Sequence, residues 1–187
     1  AFDPNFSSNH YAYFYFTGTD LHNYLVRVDA GGDTFQGSPT VLYQTNELSN
    51  LLHVGGSIRF GPDGKMYFAI GDNGFPPNAQ NLGVPYGKIM RLNTDGSVPG
   101  DNPFAGQPGV LPEIWAYGFR NPWRFQFDPS NGRMFGGDVG NDSIEEVNQI
   151  VRGGNYGFPT HEGPCTSNCS GFINPIYSYA HDGQSSA

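Results

Sequence analysis

The chain has 187 residues, of which 37% are hydrophobic, 15% are aromatic and only 14% are charged. This composition excludes an intrinsically disordered chain, because disorder requires high charge and few aromatic residues. The formal net charge is −8 with only 9 Lys plus Arg, so the clustered cations that bind a phosphate backbone are missing. No apolar run approaches the roughly 20 residues of a membrane-spanning helix. We therefore expect a globular protein without a nucleic-acid partner or a membrane span.

Glycine and proline are frequent, with 27 and 15 residues, and they separate short aromatic runs. Three segments, which begin at Phe2, Phe60 and Phe127, repeat one order of features. An aromatic strand end is followed by a Pro/Gly turn and a second aromatic strand, and the last two repeats close on Gly71-Asp72 and Gly137-Asp138. Repeats of this kind, each forming a small antiparallel sheet, predict an all-β fold built from β-propeller blades.

Further strands are predicted between the repeats from alternating, β-branched or aromatic residues. These strands cover 24–30, 40–45 and 87–93. The segment 145–151 is ambiguous, because Val147, Ile150 and Val151 have helical spacing. Two glycines at 153–154 follow too soon for a long helix, so a strand is the alternative.

Two cysteines, Cys165 and Cys169, stand in the polar segment PCTSNCSG, and N-x-S sequons occur at Asn5, Asn141 and Asn168. Together they favour a secreted, glycosylated protein with a local disulfide. A metal site at the cysteines is disfavoured, because no second ligand pair with zinc-like spacing is present. Chance remains the alternative for such short sequons.

Three residues have the context of a reactive or ligand-binding site. His53 precedes a glycine pair, and an imidazole that titrates near neutral pH suits a general base; a structural histidine is the alternative. Pro122 forces Asn121 out of the helical region, so the tripeptide from Arg120 predicts a fixed bend. Arg120 would then offer a rigid fork to a carboxylate, a phosphate or a quinone oxygen, with a structural ion pair as the alternative.

Acidic residues are concentrated after the third repeat, where Glu145 and Glu146 lie close to Asp138 and Asp142. Ca²⁺ prefers several carboxylate and carbonyl oxygens on an irregular backbone, so a calcium site is one interpretation. A solvated acidic loop is the other, because EF-hand spacing is missing. The sequence also lacks the motifs G-x-S-x-G, H-E-x-x-H and G-x-G-x-x-G and the P-loop. Hydrolase, NTPase and nicotinamide-dependent activities therefore lack the motifs that usually indicate them.

Four ordered segments, at 53–74, 87–104, 115–129 and 138–159, resemble the soluble quinoprotein glucose/sorbosone dehydrogenase family. That family includes bacterial aldose sugar dehydrogenases and Hedgehog-interacting-protein-like proteins. The resemblance implies a six-bladed β-propeller that binds pyrroloquinoline quinone and Ca²⁺ and oxidises sugars. The whole chain, 1–187, is then expected to be a partial propeller domain of roughly three blades. Its N- and C-terminal blades would be missing and supplied by further polypeptide or other protein chains.

The resemblance also implies roles for single residues. His53 matches the base that takes the proton from the sugar C1 hydroxyl. Arg120 and Asn121 match the pair that contacts the quinone. Gly140 and Asn141 match backbone carbonyls that bind the Ca²⁺ of the cofactor.

A second, structural Ca²⁺ site is implied at Glu146, by its side chain, and at Tyr156, by its carbonyl. Asn141 departs from the family pattern, which has proline there, and the cysteine insertion is similar to that of the Hedgehog-interacting-like branch. The sequence therefore favours a secreted, Ca²⁺-stabilised propeller that acts in binding a sugar, a glycan or a protein, or in extracellular assembly. The alternative is quinone-dependent oxidation of the C1 hydroxyl of an aldose, with His53 as general base.

Overall fold

The computed structural model describes residues 1–180, so the last part of the predicted domain, 181–187, lies outside the described residues. The described chain forms three antiparallel sheets, one of three strands and two of four. The sheets follow one another along the sequence, and each is a meander in which neighbouring strands pair. This arrangement is that of consecutive propeller blades, which confirms the predicted all-β fold.

The first blade contains strands β1 (Tyr11–Thr17), β2 (Asn23–Asp29) and β3 (Gln36–Gln44). Phe2 forms an isolated bridge with Ala12 at the free edge of β1, and the short helix α1 (Phe6–Asn9) fills the turn between them. The predicted strands at 24–30 and 40–45 therefore correspond to β2 and to the second half of β3.

The second blade is the central one, and it contains β4 (Ile58–Phe60), β5 (Met66–Ile70), β6 (Lys88–Leu92) and β7 (Ile114–Tyr117). All five residues of β5 and all five of β6 are buried. Strands that are covered on both faces read as continuous apolar runs, which explains the sequence MYFAI in β5. A 3₁₀ helix at Pro76–Gln80 interrupts the long loop between β5 and β6.

The third blade contains β8 (Pro122–Phe127), β9 (Met134–Asp138), β10 (Ile144–Ile150) and β11 (Tyr177–Ala180). The ambiguous segment 145–151 forms a strand, because its residues 145–150 lie in β10. It pairs with β9 on one side and with β11 on the other, so pairing of its backbone on both edges overrides the helical spacing of its apolar side chains.

Two apolar layers hold the blades together. Side chains of β5 that point to opposite faces contribute to both layers. Phe68 and Ile70 join the layer between the first and second blades, whereas Tyr67 and Ala69 join the layer between the second and third. Successive side chains of a strand point to opposite faces, so a single strand can contribute to both layers. The central blade therefore acts as a rigid base from which loops extend.

The Gly-Asp pairs of the last two repeats are not structurally equivalent. Met66 pairs with Phe60, and Met134 pairs with Phe127, so these positions are in the same register of their hairpins. From there, Asp138 is the last residue of β9, whereas Asp72 lies two residues beyond the end of β5. The two carboxylates consequently meet different neighbours, and each has its own role below.

Candidate functional site

Five of the expected site residues, His53, Arg120, Asn121, Gly140 and Asn141, lie in a group of four loops of the second and third blades, whereas Glu146 lies in β10 and Tyr156 lies in the segment after it. The loops are 49–57, 71–75, 118–121 and 139–144. They are far apart in sequence, and hydrogen bonds join them in pairs. We call this region the site edge.

His53 and Asp72 form a close pair at the site edge. The Nδ1 atom of His53 is 2.6 Å from Oδ1 of Asp72, whose carboxylate is 1% exposed, while the imidazole is 18% exposed. Because an ionised carboxylate can only accept, Nδ1 carries the hydrogen of this contact, and in the neutral imidazole Nε2 keeps its lone pair. His53 also has a left-handed backbone, with φ of 50°. Such conformations persist when the surroundings fix them, often at functional sites.

Side-chain amides fix the two loops that carry this pair. Asn73 accepts hydrogen bonds from Ser49 through Oδ1 and donates through Nδ2 to the carbonyl of Asn50. Asn50 returns a bond from its own Nδ2 to the carbonyl of Asn73. Asp72 Oδ1 also accepts the N–H of Gly74, so the carboxylate cannot rotate away from His53 without losing a second bond. The His–Asp geometry is therefore preorganised.

The bend predicted at Arg120 and Asn121 is held by the buried carboxylate of Asp138. Oδ2 of Asp138 accepts the N–H of Arg120 at 3.0 Å, and Oδ1 accepts the N–H of Asn121 at 2.7 Å. The carbonyl of Arg120 accepts the N–H of Asp72 at 2.7 Å. One backbone segment thus ties the third blade to the loop that carries the His–Asp pair.

Asn121 presents an acceptor oxygen next to the His53–Asp72 pair. Its Oδ1 is buried and has no hydrogen-bond partner within residues 1–180, and the same holds for Oδ2 of Asp72. A Cβ atom at Gly71 would collide with the carbonyl of His53 and would lie 2.8 Å from Oδ1 of Asn121. Only glycine lets His53 and Asn121 approach on both sides of this backbone.

The guanidinium of Arg120 extends towards the loop after β9. Its Nε donates to Oδ1 of Asn141 and its Nη1 donates to the carbonyl of Val139, both at 3.3 Å. The distances are long for charged donors, so the fork keeps most of its capacity for a stronger acceptor. Arg120 is thus engaged weakly, within reach of the residues expected to bind the cofactor.

The loop from Gly140 to Ile144 is held by carboxylates. Glu145 Oε2 accepts the N–H of Gly140, and Glu162 Oε1 accepts the N–H groups of all four residues 141–144. Among residues 1–180, no hydrogen bond ends on the carbonyls of Gly140 or Asn141. The backbone oxygens expected to bind a cation therefore remain available.

The acidic residues do not form a carboxylate cage. Within residues 1–180 there is no group of three or more His, Cys, Asp or Glu side chains that could hold a metal ion. Glu146 accepts the N–H of Gly163 and the amide of Asn148, and the hydroxyl of Tyr156 donates to the carbonyl of Gln149. A cation at the site edge would thus find fewer than three His, Cys, Asp or Glu side chains together within residues 1–180.

The buried carboxylates have altered acidity. Burial, with the Glu146 charge as a second cause, raises the pKa of Asp138 well above its usual range. Burial also raises the pKa of Glu146. Shifted carboxylates with buried surroundings cluster at functional sites, although structural networks can shift them too.

The cysteine prediction is confirmed, because Cys165 and Cys169 form a disulfide in an exposed loop. Asn5 and Asn168 are exposed. Asn141 is exposed as well, but its side chain contacts Arg120 and Asp142.

A cavity of about 510 Å³ adjoins the site edge. Its lining includes Val54, directly after His53, and Ser57, whose buried hydroxyl has no hydrogen-bond partner within residues 1–180. Tyr15 and Trp123 contribute aromatic walls from the first and third blades. The cavity is large enough for a small organic ligand.

The sequence analysis named Asp138 only as part of an acidic cluster interpreted as a calcium site, and it did not name Asp72 or Glu162 as functional candidates. The repeat motif contains Asp72 and Asp138. The sequence does not show that Asp72 holds a histidine and that Asp138 holds a backbone bend. Glu162 had no signal at all, because its partners are 18 to 21 residues earlier in the chain.

Fold and site together define a propeller protein with a His–Asp pair beside an Arg–Asn pair at one edge. The family model for glucose / sorbosone dehydrogenase matches residues 1–181. The chain therefore belongs to the glucose/sorbosone dehydrogenase family.

Its relatives include proteins of two kinds. The HIPL1 protein of Arabidopsis thaliana is 47% identical over 133 residues, which cover 60% of this chain and 19% of that protein. Quinoprotein glucose dehydrogenase B of Acinetobacter calcoaceticus is 35% identical over 210 aligned residues, which cover 96% of this chain and 42% of that protein. The chain thus spans less than half the length of either relative.

The chain is also similar to solved structures of sugar dehydrogenases. The PQQ-bound aldose sugar dehydrogenase of Streptomyces coelicolor superimposes with a TM-score of 0.83 at 32% identity, over 96% of this chain and 52% of that one. No helix within residues 1–180 is long and apolar enough to cross a membrane.

Proposed function

We propose that the site edge belongs to a quinone-dependent dehydrogenase that oxidises the C1 hydroxyl of an aldose, with His53 as the general base. The observation that carries the proposal is the 2.6 Å contact between His53 Nδ1 and the buried carboxylate of Asp72. This contact leaves Nε2 as a proton acceptor in an imidazole that is partly accessible. Asp72 would fix the tautomer and stabilise the imidazolium that forms when the hydroxyl proton arrives.

The residues present fit pyrroloquinoline quinone. Arg120 supplies a cationic fork for quinone or carboxylate oxygens, and Oδ1 of Asn121 supplies a buried acceptor for an N–H donor. The chemistry that the bound quinone supplies is acceptance of the hydride, with its two electrons, that leaves C1. Asp138 keeps Arg120 and Asn121 in place through their backbone N–H groups.

The carbonyls of Gly140 and Asn141 fit the Ca²⁺ that accompanies such a cofactor, because a hard cation takes backbone oxygens. The side chain of Glu146 and the carbonyl of Tyr156 are proposed for a second Ca²⁺ site. In that case Ca²⁺ would compete with the N–H of Gly163 for the carboxylate of Glu146.

Turnover tests the proposal directly. The full chain, supplied with the quinone, Ca²⁺, an aldose and an electron-accepting dye, should reduce the dye. His53→Ala should lower kcat by about 10²- to 10⁴-fold, the usual contribution of a general base. His22→Ala is the matched control, since His22 bonds the carbonyl of Thr45 in the first blade, and it should leave kcat unchanged. Equal turnover by wild type and His53→Ala would contradict the assignment.

A second candidate function is a secreted, Ca²⁺-stabilised propeller that binds a glycan or a protein partner. It is favoured by the Cys165–Cys169 disulfide, by the exposed sequons at Asn5 and Asn168, and by the similarity to the HIPL1 protein. It predicts a Tm that rises with Ca²⁺ and returns with chelator, without any dye reduction, and a mass that falls when glycans are removed. A Tm indifferent to Ca²⁺ would contradict it.

A further inference from the structure

One carboxylate oxygen holds four consecutive backbone N–H groups of the loop after β9. Oε1 of Glu162 accepts from Asn141 at 2.6 Å, from Asp142 and Ser143 at 3.0 Å, and from Ile144 at 3.1 Å. A charged acceptor strengthens each of these bonds relative to a neutral one. The shape of this loop therefore depends on a side chain that lies well outside it in the sequence.

A glutamate of β10 in turn holds the segment that carries Glu162. Glu146 Oε1 accepts the N–H of Gly163, the residue after Glu162, at 2.6 Å. Each of the two segments thus donates backbone N–H groups to a glutamate of the other. Gly163 is buried and bonded, so the backbone next to Glu162 is held in place.

This arrangement decides where two carbonyl groups point. In a trans peptide the N–H and the C=O lie on opposite sides of the same plane. The N–H of Asn141 shares its peptide with the carbonyl of Gly140, and the N–H of Asp142 shares its peptide with the carbonyl of Asn141. Within residues 1–180 the cis peptide bond is Phe158-Pro159, so both of these peptides are trans. Because Glu162 attracts the two N–H groups, the two carbonyls point away from it.

We propose that Glu162 is the positioning residue that orients the carbonyls of Gly140 and Asn141 towards a Ca²⁺ ion. The inference rests on the proposed function, which assigns these two carbonyls to the cation. The same contact places the side chain of Asn141 where Oδ1 accepts from Arg120, so Glu162 also supports the residue expected to contact the quinone.

Three variants of the full chain test the inference. Glu162→Ala removes the acceptor, and Glu162→Gln keeps a neutral oxygen in the same place. Glu47→Ala is the control, because Glu47 is an exposed glutamate of the first half of the chain, remote in sequence from the loop. Two quantities are measured: the affinity for Ca²⁺ alone, by calorimetric titration, and the hydrogen exchange rates of amides 141–144.

Glu162→Ala should accelerate exchange at 141–144 and weaken Ca²⁺ binding by about 10- to 100-fold, the usual effect of an outer-shell change. Glu162→Gln should lie between Glu162→Ala and the wild type, and Glu47→Ala should match the wild type in both measurements. A merely structural role would lower Tm without changing the affinity at temperatures where the protein is folded. If Glu162→Ala does not fold, Glu162→Gln decides the question.

Two results would overturn the inference alone: unchanged exchange at 141–144, or faster exchange with an unchanged affinity for Ca²⁺. A wild-type protein that binds no Ca²⁺ would instead overturn the proposed calcium site, and the inference together with it. The affinity of the wild type therefore separates the two failures.

Discussion

Two groups of charged side chains in this protein differ in how their buried members are matched. In the first, the guanidinium of Arg91 pairs with Asp63 at 2.9 Å and with Asp101 at 2.8 Å, and it bonds the amide of Asn102. Trp115 covers it at 5.0 Å from the ring centre. Every polar face of this cation is matched by an acceptor or an aromatic ring.

The second group lies at the site edge, where Asp72 and Asp138 have no Lys or Arg side chain within 4.0 Å among residues 1–180. Asp138 accepts two backbone N–H groups, and within residues 1–180 no cationic side chain lies within 4.0 Å of it. Asp72 leaves one oxygen without a partner in that range. The first group is matched by protein partners, whereas the second leaves hydrogen-bonding capacity unused within residues 1–180.

Loss of Arg91 should have the largest effect on stability. Arg91→Ala would leave the buried amide oxygen of Asn102 without its donor and would remove packing against Trp115, at a cost of about 3 kcal/mol in the free energy of unfolding. Denaturant titration measures this loss. Arg133→Ala, at an exposed position, should change stability by less than about 0.5 kcal/mol. Similar values for the two variants would show that the matched group does not stabilise the fold.

Gly71→Ala should damage the site edge more than the rest of the fold. The added methyl would push the carbonyl of His53 away from Asn121, at a cost of about 1–3 kcal/mol. It should also abolish dye reduction in the turnover assay. Gly100→Ala is the control, because no atom lies within 4 Å of its Cβ position. If Gly71→Ala kept full turnover, the close approach at this glycine would have no functional role.

The smallest expected effect is a difference in acid sensitivity. Although burial raises it, hydrogen bonds from Lys65, Tyr67 and Arg91 lower the pKa of Asp63 below its usual value. A lowered folded-state pKa gives stability that is present above about pH 4, the ordinary aspartate value, and is lost as the pH falls below it.

Asp63→Asn should therefore cost less than about 1 kcal/mol at pH 7, since the carboxylate is partly exposed, and the gap to the wild type should close on acidification. Denaturant titrations from pH 7 to pH 3 provide the comparison. A gap that widens as the pH falls would contradict the assigned role of Asp63.

The hairpins of the three blades could be predicted from local patterns. Strands β5 and β6 lie where apolar and aromatic runs meet Pro/Gly turns, because a strand covered on both faces needs such a run and a hairpin needs such a turn. Segment 145–151 could not be decided, since its apolar spacing suits a helix and only pairing with β9 and β11 makes it a strand.

By itself, the sequence determined the blade repeats, the disulfide pair and the residue types at 53, 120 and 121, because each depends on neighbours in the chain. Only the tertiary structure decided that Asp72 holds His53, that Asp138 holds the bend at Arg120, and that Glu162 holds the loop at 141–144. These contacts join residues 17 to 21 positions apart, in separate loops or strands. Their geometry exists only after the strands within each blade have paired, so no local pattern can encode it.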